Sequence, residues 1–305
     1  MPGCSRTSWL TMLASVRVGK VSNGSKPCRC STRCGRQSWS LTSSVAALGS
    51  AHVREVSSGS RLCCCSALRL LSEMWEAKLE PNVISYNAGV AACRKDGQWQ
   101  RALALLSEAR EAKLELDDTS YSAAIIACKN GGQWQRGMLI FSELREVKLE
   151  QTVTSYNAGM SACEAGGQWH HALWLLSEIC EAKLEPDVNS YNNVIVACGE
   201  VLQWQQALSL LSEMLVVKLE PNSVTYVAAI FACKKGGQWQ HGLSVFSNMR
   251  EATLDQTVVT YSVGIGACAN GAQWRRALWL LGEMQEVTLE PNVACYSAGI
   301  SACDK

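Results

Sequence analysis

One stretch of 35 residues, PNVISYNAGVAACRKDGQWQRALALLSEAREAKLE at 81–115, sets the terms for the whole chain, because the chain repeats it. Later copies align at 116–150, 151–185, 186–220, 221–255 and 256–290 with no insertion or deletion. A half copy precedes them at 64–80 and another follows at 291–305. A fixed period of this size marks a stack of supersecondary units, so 61–305 is expected to be one array rather than two globules.

Inside one unit, Tyr86, Gly89 or Val90, and Cys93 fall on one face of a first helix. Asp96-Gly97 breaks that pattern, as Gly131-Gly132, Gly166-Gly167 and Gly236-Gly237 do in other copies. Trp99, Ala102, Leu103 and Leu106 mark the face of a second helix. Each unit therefore predicts a helix-turn-helix hairpin, and the chain an all-α solenoid.

Comparison between copies separates packing from the rest. Tyr recurs in all seven copies from Tyr86 to Tyr296, and Ala precedes Cys in all seven. Trp opens the second helix in the six complete copies: Trp99, Trp134, Trp169, Trp204, Trp239 and Trp274. Small residues let helix backbones approach, and aromatic residues supply large apolar area. A Trp ladder could also stack bases, but its Ala and Leu flanks predict core packing.

Sixteen cysteines would suggest a disulfide scaffold in a short secreted protein. Seven of them (Cys93, Cys128, Cys163, Cys198, Cys233, Cys268 and Cys303) recur at one phase. Stacked helices hold equivalent atoms roughly 8–10 Å apart, too far for a disulfide. These are expected to be small buried residues in a reducing compartment.

The net charge of +1 hides a split. Residues 1–60 hold eight Lys or Arg and a single acid, Glu55, leaving 20 basic and 26 acidic residues in the remainder. An Arg-rich, Ser-rich, acid-poor leader has the composition of a plastid or mitochondrial transit peptide. A disordered basic leader, or translated non-coding sequence, would have the same composition. The acidity of the array counts against indiscriminate binding to phosphate backbones. No run of residues is apolar for long enough to span a membrane as a helix, so no membrane partner is expected.

The hairpin reading SYNAGVAACRKDGQWQRALALLSE resembles the pentatricopeptide repeat family over about residues 64–305. The resemblance implies a right-handed α-solenoid that binds single-stranded RNA in organelles, about one nucleotide per repeat, as a processing, stability, editing or translation factor. It implies that two side chains per repeat read each base edge. The first is the residue after the Tyr: Asn87, Ser122, Asn157, Asn192, Val227 and Ser262. The second stands just before the next first helix: Asp117, Thr152, Asp187, Asn222, Thr257 and Asn292.

The family's rule implies uracil for Asn87/Asp117 and Asn157/Asp187, cytosine or uracil for Asn192/Asn222, and adenine for Ser262/Asn292. Ser122/Thr152 and Val227/Thr257 depart from the informative combinations and read as spacers. Residues three before the readers (Ile84, Thr119, Thr154, Val224, Val259) would sandwich the bases, with Asn189 departing from the pattern.

The residues themselves support part of this. The first set is polar in five of six copies and varies where its neighbours do not, and Asn or Ser can both donate to and accept from a base edge. The second set consists of preferred N-cap residues, so capping alone would explain it. Lys expected to meet phosphate stands at Arg94-Lys95, Lys129 and Lys234-Lys235, but Glu164 and Glu200 replace it in the middle copies.

No enzyme is expected. The zinc deaminase pattern of HxE with PCxxC is absent, as is any phosphate loop. The four histidines include the adjacent pair His170-His171, which cannot face one ion from one helix. Neither this pair nor the leader cysteines Cys28, Cys30 and Cys34 has metal-site spacing, so no metal or cofactor is expected. Catalysis would come from a protein partner. Two other readings fit the same residues: a scaffold whose groove takes a peptide, favoured by the array's acidity, and a truncated or decayed repeat protein, suggested by its ragged ends.

Overall fold

The computed structural model describes residues 64–304 apart from Lys148 and Thr253; the leader at 1–60 and its cysteines lie outside the described residues. Fourteen α-helices and no strands occur among the described residues. A lone second helix, α1 (Cys64–Glu76), comes first. The complete hairpins are α2 (Val83–Asp96) with α3 (Trp99–Glu111), α4 (Asp118–Asn130) with α5 (Trp134–Glu146), and α6 (Val153–Ala165) with α7 (Trp169–Glu181). Then come α8 (Val188–Glu200) with α9 (Trp204–Val216), α10 (Ser223–Lys235) with α11 (Trp239–Glu251), and α12 (Val258–Asn270) with α13 (Trp274–Glu286). A lone first helix, α14 (Val293–Cys303), ends the described array.

Local chemistry sets these boundaries. Each first helix from α2 onward begins after an Asn, Asp or Thr in extended backbone, the conformation an N-cap requires. The second helices of the complete hairpins begin at the Trp, and where the following turn is described it holds a left-handed residue, for example Lys113 at φ 53°. There the Leu114 N–H returns to the Ala109 carbonyl at 3.0 Å, closing the helix end. Between the two helices a left-handed Gly makes the turn in four copies, with Leu202 (φ 64°) and Ala272 (φ 54°) in the other two.

The hairpins stack in two unequal layers. Consecutive first helices lie directly against one another, whereas each second helix touches the first helices of its own and the next unit. Small residues explain the close layer: Ala92, Ala127, Ala162, Ala197, Ala232 and Ala267 are buried, and so are the six cysteines from Cys93 to Cys268. A Cβ built on Gly199 of α8 would come within 3.1 Å of the Ala232 Cβ in α10. The cysteines of this layer carry free thiols, and burial pushes them up to about 11 at Cys128, Cys198, Cys233 and Cys268 and to about 12 at Cys163. Cys303, on the last helix, is exposed.

Two expectations about packing need correcting. The Trp residues form the rim of the array rather than its core: five are half-buried and Trp274 is 47% exposed. Each indole stands at the first position of its helix, and four of the six reach onto the turn of the following unit. A methyl on Gly131, Gly166, Gly236 or Gly271 would collide with Trp99, Trp134, Trp204 or Trp239 respectively. The fourth unit carries Val201 at that position, and there Trp169 instead lies against His170 at 3.6 Å between ring centroids. A cavity of about 430 Å³ opens beside Val201 and Glu164.

The second-helix stripe is also shifted from its expected register. Ala102, Leu105, Leu106 and Ala109 are buried while Leu103 is only half-buried. The helix is wedged between two first helices, so its buried face is wider than a single-sided reading allows.

Candidate nucleic-acid interface

All twelve residues expected to read bases stand at the N-terminal ends of first helices, where one unit meets the next. Asp117, Thr152, Asp187, Asn222, Thr257 and Asn292 are each the N-cap of the following first helix. Capping and display are compatible, because a carboxylate or amide that accepts from the N3 backbone through one oxygen keeps its other end free. Thr152 differs: its hydroxyl donates to Asp118 at 2.5 Å.

Two junctions bring a reader and a cap into direct contact. Asn87 Nδ2 donates to Asp117 Oδ1 at 3.2 Å, and Asn157 Nδ2 donates to Asp187 Oδ1 at 3.0 Å. Burial pushes both carboxyls up, but the hydrogen bonds they accept outweigh it and hold both below the ordinary carboxylate range. The stabilisation from these bonds is therefore present above that range and is lost as pH falls through the lowered values.

The other junctions differ. Ser122 is 3% exposed and its hydroxyl has no hydrogen-bond partner in the protein. Asn192 is 7% exposed, and its Oδ1 likewise lacks a partner. Val227 and Ser262 are half-buried. The sequence sets Ser122 and Val227 apart as spacers; burial draws a different line, enclosing Ser122 and Asn192. Ile84, Thr119, Thr154, Asn189, Val224 and Val259, one helical turn before the readers, are all exposed, so a row of apolar and small polar side chains flanks the reader row.

A further row was missed. The residue between the cap and the Tyr is Ser85, Ser120, Ser155, Ser190, Thr225 or Thr260, with Cys295 in the last copy. Its signal, a hydroxyl in six of seven copies, was available in the sequence.

Two of the basic residues expected to meet phosphate are engaged by carboxylates. Lys129 Nζ lies 2.9 Å from Glu164 and 2.6 Å from Ser161, and Lys235 lies 3.3 Å from Glu200. The second-helix acids form a separate ladder, with Arg110–Glu143 at 2.6 Å, Arg145–Glu178 at 2.8 Å and Arg250–Glu283 at 2.6 Å joining successive second helices. His170 is exposed and His171 half-buried; burial, and then the neighbouring His170, pull the His171 imidazole down. Among the described residues no group of three or more His, Cys, Asp or Glu is placed to hold a metal, and no helix is long and apolar enough to cross a membrane.

Comparison with known proteins fits this geometry. Models described as pentatricopeptide repeat domain, PPR repeat family and PPR repeat match residues 104–166 and 244–305, 186–235, and 224–254 respectively. The chain belongs to the pentatricopeptide repeat family. No curated protein matches the sequence. Among solved structures, the pentatricopeptide repeat protein PPR10 from maize is 26% identical, with a TM-score of 0.58 over 76% of this chain and 33% of that one. PPR10 in complex with an 18-nt psaJ RNA element is 18% identical, with a TM-score of 0.53 over 86% of this chain and 46% of that one. The nuclear proteinaceous RNase P 2 from A. thaliana, at 15% identity and TM-score 0.50, covers 60% of this chain and 41% of its own. The chain thus spans about a third to a half of the length of these structures, and shares with them the right-handed α-solenoid.

Proposed function

We propose that the array binds single-stranded RNA with base selectivity, as a non-catalytic adaptor in RNA processing, stability, editing or translation. The observation that carries this reading is the pair of hydrogen-bonded reader–cap couples, Asn87–Asp117 and Asn157–Asp187, beside the exposed residues Ile84, Thr119, Thr154 and Asn189. Polar groups with spare donors and acceptors, spaced one per unit and flanked by side chains able to cover a base face, suit bases held out of a duplex. PPR10 bound to an RNA element is the neighbour that lends the reading support.

The expected preference is U-N-U-Y-N-A, with the second and fifth units acting as spacers. Binding of the full chain to short RNAs of this pattern, beside scrambled and DNA controls at low salt, tests the reading; equal binding to all would sink it. Asn157→Ser, with Asp187 unchanged, is expected to shift the third base from uracil to guanine. Affinity is expected to be modest and to fall steeply with salt, because Glu164 and Glu200 stand in the middle copies and pair with Lys129 and Lys235.

The Arg- and Ser-rich leader supports delivery to a plastid or mitochondrion. Fusion of residues 1–60 to a fluorescent protein checks this, and a cytosolic signal would refute it. A second reading, a groove for a peptide whose partner supplies catalysis, is favoured by Lys129 and Lys235 being neutralised by Glu164 and Glu200. Such binding would survive salt and show no base preference.

A further inference from the structure

The overlooked hydroxyl row behaves differently from junction to junction. At the third junction Ser190 Oγ lies 2.7 Å from Asn157 Oδ1 and 2.9 Å from Asp187 Oδ1, and it accepts from the Asp187 N–H at 3.2 Å. Asp187 Oδ1 also receives the Ser190 N–H at 2.8 Å. At the first junction Ser120 Oγ hydrogen-bonds to Asn87 Oδ1 and lies 2.6 Å from Asp117 Oδ1.

Donor and acceptor chemistry then fixes the amide. A carboxylate only accepts, so the end of the Asn facing Asp must be its NH₂. The carbonyl end therefore faces Ser, where the hydroxyl proton is the donor within reach. Turning the amide over would set two oxygens against each other at the Asp. One N–H and one carbonyl lone pair remain for a base, in a fixed order.

Elsewhere the same hydroxyl is spent on its own helix. Ser155 donates to the Thr152 carbonyl at 2.8 Å and Thr260 to the Thr257 carbonyl at 2.7 Å. Thr225 turns to Asn222 Oδ1 at 3.0 Å, and Asn192 Oδ1 is left without a partner.

Building on the RNA-binding reading, we propose that Ser120 and Ser190 are positioning residues that set the base selectivity of the Asn87/Asp117 and Asn157/Asp187 couples, by anchoring the carbonyl end of each Asn amide whose NH₂ end the Asp already holds. Ser190→Ala leaves the Asn157 carbonyl without its donor, so the amide is held at its NH₂ end alone and its carbonyl is no longer fixed in place for a base.

The test uses the full chain and labelled single-stranded RNAs UAUCAA, UACCAA and CAUCAA. Ser190→Ala is expected to lower the preference for uracil over cytosine at the third base by about three- to tenfold, the worth of one hydrogen bond. The preference at the first base should not change. Ser120→Ala should do the reverse, and Ser190→Thr should restore the third-base preference.

Ser155→Ala and Thr260→Ala remove hydroxyls from the same helical position and control for a structural effect; both ratios should stay as in the wild type. The side-chain amide NMR signals of Asn157 should move in Ser190→Ala and stay put in the controls. A third-base preference that survives intact in Ser190→Ala overturns the positioning role alone. A wild-type chain with no base preference overturns the RNA reading, and the selectivity role with it.

Discussion

The two layers of this array solve the same problem with opposite materials. First helices are built from Ala, Gly and Cys and lie against one another. Second helices carry Leu, Trp, Arg and Glu, touch only first helices, and reach each other only through long side chains such as Arg145 and Glu178. Repeats closer together on one side than on the other must curve towards the close side. The reader row lies on the close layer, so identical small residues fix its pitch, while the outer layer is free to vary without disturbing it.

That contrast can be broken directly. Ala232 is fully buried, within van der Waals reach of Gly199 on the neighbouring first helix. Ala232→Leu is expected to cost about 1–3 kcal/mol by overpacking. Ala104, exposed on α3, occupies the position filled elsewhere by Leu139, Trp174 and Trp279. Ala104→Leu should therefore stay within about 0.5 kcal/mol of the wild type. Urea unfolding of the two variants checks the comparison; equal losses would mean that the layers are not distinguished by spacing.

The close layer was legible in the sequence, and the outer layer less so. Seven Tyr and seven Ala-Cys pairs at a constant phase identify one buried face, because burial in a stack permits so little variation. Trp99 to Trp274 were equally regular but were misread as core. A residue can recur because it covers the next unit's turn, and period alone does not separate that role from burial. Leu103 and Leu105 could not be told apart, since a helix wedged between two neighbours buries more than one stripe.

The candidate site was half legible. Asn87 and Asp117 could be paired only through the family resemblance, being 30 residues apart. The burial of Ser122 and Asn192 depends on how neighbouring units close around them, which no single copy encodes. Ser120 and Ser190 were hidden by their own regularity, because six of the seven copies carry a hydroxyl there and its partner differs between junctions.

The smallest effect worth measuring lies in the outer layer. The ladder Arg110–Glu143, Arg145–Glu178 is interrupted at the next step, where Cys180 replaces the Arg and Glu213 instead accepts from the Tyr191 hydroxyl at 3.1 Å. Cys180 is exposed, so a longer side chain has room. Cys180→Arg should place a guanidinium within reach of Glu213 and continue the ladder. Exposed pairs of this kind are worth about 0.2–1 kcal/mol, and less in high salt. Amide exchange in α7 and α9 should slow by that amount at low salt, and the gain should vanish when Glu213→Gln is added. A gain that persists in the double variant would come from α7 alone. The ladder would then not extend across this step, and the coupling of second helices would be confined to the junctions where Arg meets Glu.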